Sequence, residues 1–252
     1  MVNSDRLYQV RVVEDRAKVG TIVGDNLAGS DAKTIFPLQA ALGWTIAQNL
    51  FISKRNLLVE GPSELLYLQV ASSLLEKEGE GSLRTDMTIV PTGGLDNLAT
   101  FVALLGASGL KLAVLHDYKG SPDQKLNSLV RDKLMSAKSL FNVAQFRDPA
   151  NPNCPSDIED LFSVGLYLQY FNATFSVQLG KASITEADLP VGERVVHRIE
   201  QFLKSKSIVL RPSGGFNHYL VASSFAASPP ASLDAATVAR FKALFATINA
   251  SV

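Results

Sequence analysis

The sequence predicts an α/β fold: a mostly parallel sheet flanked by helices, with a helical lobe appended at the carboxyl end. Three observations predict it. Four short apolar runs, at residues 56–59, 87–90, 112–115 and 139–146, alternate with helical patterns at 64–78, 96–105 and 122–135, the order that builds a parallel sheet through crossover helices. The first and third of these runs, Asn56-Leu57-Leu58-Val59 and Leu112-Ala113-Val114-Leu115, lack the in–out alternation of a half-buried strand and are expected at the centre of the sheet. From Ser156 onward strands become scarce, and helical periodicity takes over at 160–171, 194–204, 219–226 and 233–248.

Ahead of the core, residues 8–13 and 20–23 read as two short strands around a polar turn. At 35–52, Leu38, Leu42, Ile46 and Leu50 share one helical face. The division expected from these patterns is an adaptor at 1–53, an α/β core at 54–150 and a helical lobe at 151–252 that completes the site. The rigid loop Asn151-Pro152-Asn153-Cys154-Pro155 leads into the lobe, and Ala227-Ser228-Pro229-Pro230 interrupts it before its last helix.

Composition narrows the function. With 46% hydrophobic and 19% charged residues, the 252-residue chain has the makeup of a folded globular protein, not of a disordered or fibrous one. Its 24 basic and 24 acidic residues balance, so a nucleic-acid role requires a local basic face. Cys154 stands alone and cannot form an internal disulfide, and residues 1–10 lack the apolar core of a signal peptide; both point to the cytoplasm. The longest apolar stretches fall short of the roughly 20 residues that a membrane span needs, so no membrane is expected as a partner.

The chemistry begins at the first core strand. Glu60 closes Leu57-Leu58-Val59, Gly61 and Pro62 make the turn, and Glu64 falls in the first turn of the next helix. Both carboxylates thus sit at the carboxyl edge of a parallel sheet, where active sites of open α/β folds form. Hard cations such as Mg²⁺ take oxygen ligands, with water and substrate phosphate completing the shell. Taken alone, Glu64 reads equally as an acid complementing the helix dipole. Glu60 does not, because a carboxylate directly after a buried apolar run is unfavourable without a partner. Asp117 closes the third strand in the same manner, after Ala113-Val114-Leu115-His116. Ser156-Asp157-Ile158-Glu159-Asp160 supplies a third acidic cluster, for which an N-cap with first-turn acids is the local alternative. Thr92-Gly93-Gly94 joins the second strand to its helix and reads either as a phosphate cradle at the helix N-terminus or as a tight turn.

Val59-Glu60-Gly61 with Glu64, then Pro91-Thr92-Gly93-Gly94, then His116-Asp117, resembles the TOPRIM domain shared by topoisomerases, primases and OLD (overcoming lysogenization defect) family nucleases. Ile158-Glu159-Asp160-Leu161-Phe162 and the pattern from Arg240-Phe241 to Ile248-Asn249 resemble the OLD branch in particular. The resemblance implies a Rossmann-like TOPRIM sheet and a Mg²⁺- or Mn²⁺-dependent DNA endonuclease or nickase holding two ions. It implies one ion on Glu60 and Asp117 and the other on Glu64 and Glu159, with Asp157 or Asp160 assisting. It places a basic residue at His218, where OLD nucleases often have lysine; phosphate contacts are expected at Gly93 and Gly94 from the helix N-terminus and at Lys119 from its place beyond Asp117.

One departure stands out: TOPRIM domains usually carry Asp-x-Asp, whereas this chain reads Asp117-Tyr118-Lys119. Lys119 therefore keeps open a non-catalytic metal- or nucleic-acid-binding module within a defence complex. A receiver-like phosphoacceptor at Asp117 lacks its partner lysine late in the sheet. Lys33-Thr34 lacks the glycine and the leading strand of a phosphate loop, so ATP binding is not expected. OLD proteins carry an ATPase ahead of the TOPRIM region, so the chain corresponds to the nuclease half, with DNA, an ATPase domain or subunit and a second copy of itself as expected partners.

Overall fold

The structure, a computed structural model, describes residues 10–14, 19–23, 54–106, 110–180 and 183–252. The chain divides into two compact units, Met1–Ser53 and Lys54–Val252. In the first, β1 (Val10–Glu14) pairs antiparallel with β2 (Val19–Val23), as the two apolar runs predict. The helix expected over 35–52 lies outside the described residues.

In the second unit the sheet contains β3 (Arg55–Val59), β4 (Met87–Pro91), β5 (Lys111–His116) and β6 (Leu140–Asn142). All pairings are parallel and the order is β4-β3-β5-β6, so the two runs without alternation occupy the interior. Leu57, Leu58 and Val59 are wholly buried, which explains why three successive apolar residues are needed: each face of an interior strand is covered. The crossovers are α1 (Pro62–Lys77), α2 (Leu95–Gly106) and α3 (Gln124–Arg131). Among the described residues no helix is long and apolar enough to cross a membrane.

Two elements differ from expectation. The strand expected over 139–146 is three residues long, because Val143 turns into the α region (φ −61°, ψ −33°) and opens the single-turn helix α4 (Ala144–Arg147). Its apolar side chains remain in the core, with Phe141 and Phe146 packed edge to face at 6.3 Å. The helix expected over 160–171 is broken: a 3₁₀ turn at Ile158–Leu161 ends at extended Phe162, and α5 (Val164–Thr174) starts afresh. The lobe continues with α6 (Val195–Ser205), α7 (His218–Ala227) and α8 (Ala235–Ser251).

That break serves packing. Phe162 is buried, with its ring centroid 5.1 Å from each of Tyr67 on α1, Phe225 on α7 and Phe241 on α8, so one side chain joins the sheet's helix to the lobe. A continuous core runs from Leu57 and Ala113 in the sheet to Leu244 and Ile248 in the last helix. Phe162→Ala should destabilise Lys54–Val252 by about 3–5 kcal/mol through reduced burial and an unfilled cavity. Chemical denaturation checks this, and a destabilisation below about 1 kcal/mol would mean that Phe162 does not tie the lobe to the sheet.

Candidate metal centre

The candidate site starts at two neighbouring strand ends. β3 and β5 run in parallel register, with Leu58 opposite Val114, so Glu60 and Asp117 leave the sheet side by side. The Asp117 N–H donates to Glu60 Oε1 at 3.1 Å. On the other flank Gly94 N–H donates to the Glu60 carbonyl at 2.8 Å, and Thr92 Oγ1 donates to the Val59 carbonyl at 3.0 Å. Gly93 and Gly94 adopt φ +79° and +118°, a region that disfavours side chains, so the glycine pair is required by the turn itself. Because the Gly94 N–H already holds the strand end, this pair orients Glu60 through the backbone.

Glu64 lies in the first turn of α1. A side chain at Gly61 would place its Cβ 3.3 Å from Glu64 Oε2, so glycine here gives room for the carboxylate to fold back over the helix start. Burial, followed by the charges of Glu159 and Glu60, raises the Glu64 pKa to about 7.

The third acidic segment is brought in by a contact that no local pattern announces. Tyr118 and Ser156 form an isolated antiparallel bridge, each N–H donating to the other's carbonyl at 2.8 Å. Beside it, Ile158 N–H donates to Asp117 Oδ1 at 3.0 Å. Arg147 fixes the loop from behind, donating from Nη1 to the Pro155 carbonyl at 2.8 Å and from Nη2 to the Glu193 carbonyl. Glu159 is thereby buried within electrostatic reach of Glu64 and Asp117.

The other two acids of this segment have fixed partners. Asp160 accepts its own turn's Asp157 N–H and the Val195 N–H, both at 2.8 Å, one at each oxygen, which makes it a structural cap between the turn and α6. Burial raises its pKa to about 6 despite these bonds. Asp157 pairs with Arg194, Oδ1 to Nη1 at 3.0 Å. Burial and the Glu159 charge raise its pKa, and Arg194 opposes them. Asp123 serves as N-cap of α3, accepting from the N–H groups of Lys125 and Leu126 at 2.9 and 3.0 Å.

On the lobe side, His218 Nδ1 stands 3.6 Å from Glu159 Oε1, an ion-pair separation longer than a normal hydrogen bond, and its ring stacks on Phe216 at 4.7 Å. Burial lowers the imidazole pKa, but Glu159, Glu200 and Asp157 outweigh it and the net shift is upward. His218 is thus the basic group that the site brings to Glu159. His116 is buried, and burial lowers its pKa; its Nδ1 lies 2.6 Å from the Asp117 carbonyl and so carries the hydrogen. Lys119 is exposed beyond Asp117 and lowers the pKa of Glu60 by its charge, against the larger effect of burial.

The donors therefore gather as Glu60, Glu64, Asp117 and Glu159, with Asp157 held by Arg194 and Asp160 turned to the backbone. Among the described residues no three acidic, histidine or cysteine side chains are arranged to enclose an ion by themselves. The chemistry of the set nonetheless fits a hard cation: it is all oxygen, and Mg²⁺ ordinarily needs only one or two carboxylates, with water and phosphate completing its shell. Two further features fit a missing positive charge. Asp117 is pushed well above the ordinary carboxylate range by burial and then by Glu159, Asp157, Glu64 and Glu60. In addition, the hydroxyls of Tyr67 and Tyr167 are buried against one another, and the charge of Glu159, after burial, raises the pKa of each. The spacing of Glu64 and Tyr67, one helical turn apart, is the sole sequence signal for these tyrosines.

The parallel sheet with acids converging at its carboxyl edge is consistent with a TOPRIM-type α/β fold. Residues 51–118 match the family model for the Overcoming lysogenization defect protein-like TOPRIM domain, so this segment is similar to that domain. Among solved structures, the C-terminal region of the Xanthomonas campestris pv. campestris OLD protein aligns with 78% of this chain and 96% of its own at 15% identity and a TM-score of 0.33, a likeness too slight to carry a statement about fold or function. No curated protein matches the chain.

The electrostatics yield a stability prediction. Glu64 has a folded pKa above its unfolded value, so its contribution is fully present below pH 4.5 and is lost as pH rises through about 7. Metal-free protein should therefore lose stability across that window. Glu64→Gln should flatten the decline, gaining roughly 1–3 kcal/mol over the unsubstituted protein at pH 8. Thermal melts in EDTA from pH 4.5 to 8 check this; parallel profiles for the two proteins would contradict it.

Proposed function

We propose that this protein is a divalent-metal-dependent DNA endonuclease or nickase and that it acts as the nuclease part of an OLD-like ATPase–nuclease. The observation that carries the reading is the convergence of Glu60, Asp117 and Glu159 from three separate segments onto one sheet edge, joined by the Asp117–Glu60 and Ile158–Asp117 hydrogen bonds. The OLD-like TOPRIM match supports it.

Glu60 and Asp117 would hold one Mg²⁺ or Mn²⁺ ion, and Glu64 with Glu159 a second. Bound divalent ions supply charge neutralisation at the scissile phosphodiester. The chain's own groups do the rest. Without an ion, Glu64, whose pKa lies near 7, exchanges a proton close to neutral pH, so its ionised form is available to a cation there. His218, whose pKa Glu159 shifts upward against the effect of burial, adds positive charge on the lobe side when protonated. Asp157 and Asp160 act as positioning residues, tying the Glu159 turn to Arg194 and to the start of α6.

Lys119 at the usual second aspartate, together with the absence of three preassembled ligands among the described residues, favours a second reading: a non-catalytic module that binds metal or nucleic acid within a larger assembly. One experiment separates the two. Supercoiled plasmid incubated with Mg²⁺ or Mn²⁺ should be nicked, EDTA should abolish nicking, and Glu60→Ala and Asp117→Ala should each reduce the rate by at least about a hundredfold. Absence of nicking with either ion, or rates unchanged in both variants, would sink the nuclease reading.

A further inference from the structure

Beside the acidic centre lies a cleft of about 390 Å³ lined by Lys119, Pro155, Glu193, Arg194 and His197. Its walls come from the loop after β5, the loop held by Arg147, and the start of α6. It touches the candidate metal centre at two points: Lys119 is two residues beyond Asp117, and Arg194 is paired with Asp157.

Three features set this cleft apart as a binding surface. The Lys119 ammonium has no ion-pair partner among the described residues, so its charge faces solvent in the cleft. Arg194 uses Nη1 on Asp157, and the remaining N–H groups of its guanidinium have no partner among the described residues. Finally, Arg194 stands at the N-cap of a helix that has no acidic residue in its first turn, where the helix dipole disfavours cations. Its pair with Asp157 offsets that in part, and a ligand anion would offset both the dipole and the unpaired lysine. Glu193 also lines the cleft, but its backbone carbonyl is anchored by Arg147 and its one carboxylate is outnumbered by Lys119 and Arg194.

We infer that this cleft binds a non-scissile phosphodiester of the nucleic-acid strand, next to the bond presented to Glu60 and Asp117. The inference rests on the nuclease reading for the word non-scissile; the phosphate site itself stands on the cleft. An acidic centre repels a polyanion, and a cationic pocket at its border supplies the attraction that brings the backbone in and fixes its direction across the site. The Asp-x-Lys sequence acquires a purpose in this arrangement: the position that elsewhere offers a second carboxylate here offers a phosphate contact. The ligand class is therefore a strand with at least one phosphate beyond the reacting one.

The test is binding of a fluorescently labelled oligonucleotide duplex to the full chain in Ca²⁺, which occupies oxygen sites, followed by anisotropy over a range of salt concentrations. Lys119→Ala and His197→Ala should each weaken binding roughly three- to tenfold and make the logarithmic salt dependence shallower by about one unit for each phosphate no longer held. Lys77→Ala, an exposed change at the far end of α1, should leave both unchanged. Wild-type affinity and salt slope in the Lys119→Ala/His197→Ala double variant, or no binding by the unsubstituted protein, would overturn the inference. Circular dichroism establishes that the variants are folded, which their exposed positions favour. Nicking by the unsubstituted protein with unaltered binding in the double variant would remove this subsite alone. Weakened binding without any nicking would remove the nuclease reading and leave the phosphate site.

Discussion

A chain of carboxylate-to-backbone hydrogen bonds holds this site together. Glu60 accepts from Asp117, Asp117 accepts from Ile158, and Asp160 accepts from both Asp157 and Val195. Strand β3, strand β5, the 3₁₀ turn and helix α6 are thus linked by the same residue type that makes up the candidate metal centre. The short bridge between Tyr118 and Ser156 completes the junction. The rest of the architecture serves this linkage. Arg147 braces the loop behind it, and Phe162, at the end of the same turn, anchors it in the core.

The arrangement is electrostatically strained. Burial and mutual repulsion raise the pKa values of Glu60, Glu64, Asp117 and Asp157, and the cations nearby sit at the rim. Folding energy alone gives no reason to collect such groups in a buried site. A divalent cation resolves the conflict by favouring the ionised carboxylates. Under the proposed function, Arg194 and Lys119 would resolve a different one, on the outer side, where a polyanionic strand approaches an acidic centre.

The sheet was legible in the sequence because its interior strands are covered on both faces: Leu57-Leu58-Val59 and Leu112-Ala113-Val114-Leu115 have no reason to be uniformly apolar otherwise. Glu60 and Asp117 were legible for the same reason, as charges placed at the ends of buried runs. What was hidden depends on contacts distant in sequence. Ser156 carries no mark of its bridge to Tyr118, and Arg147 reads as an ordinary end of an apolar segment although it grips two loops. Local propensity also misjudged 139–146, where tertiary packing of Phe146 onto Phe141 takes the chain out of the sheet after Asn142. Asp160 shows the limit of motif reasoning: an acid inside the Ile-Glu-Asp-Leu-Phe pattern looks like a ligand until its two backbone partners are seen.

The central claim is that Glu60 and Asp117, with Glu64 and Glu159 beside them, form a divalent-cation centre. Calorimetric titration of the protein with Mg²⁺ and Mn²⁺ at pH 7.5 tests it most directly, with Asp117→Asn as the comparison because it keeps the size and an oxygen acceptor for the Ile158 N–H. The expected result is saturable binding with proton release from the raised carboxylates, weakened at least about tenfold in the variant. Saturable binding of equal strength in both proteins, or no binding in either, would contradict the account.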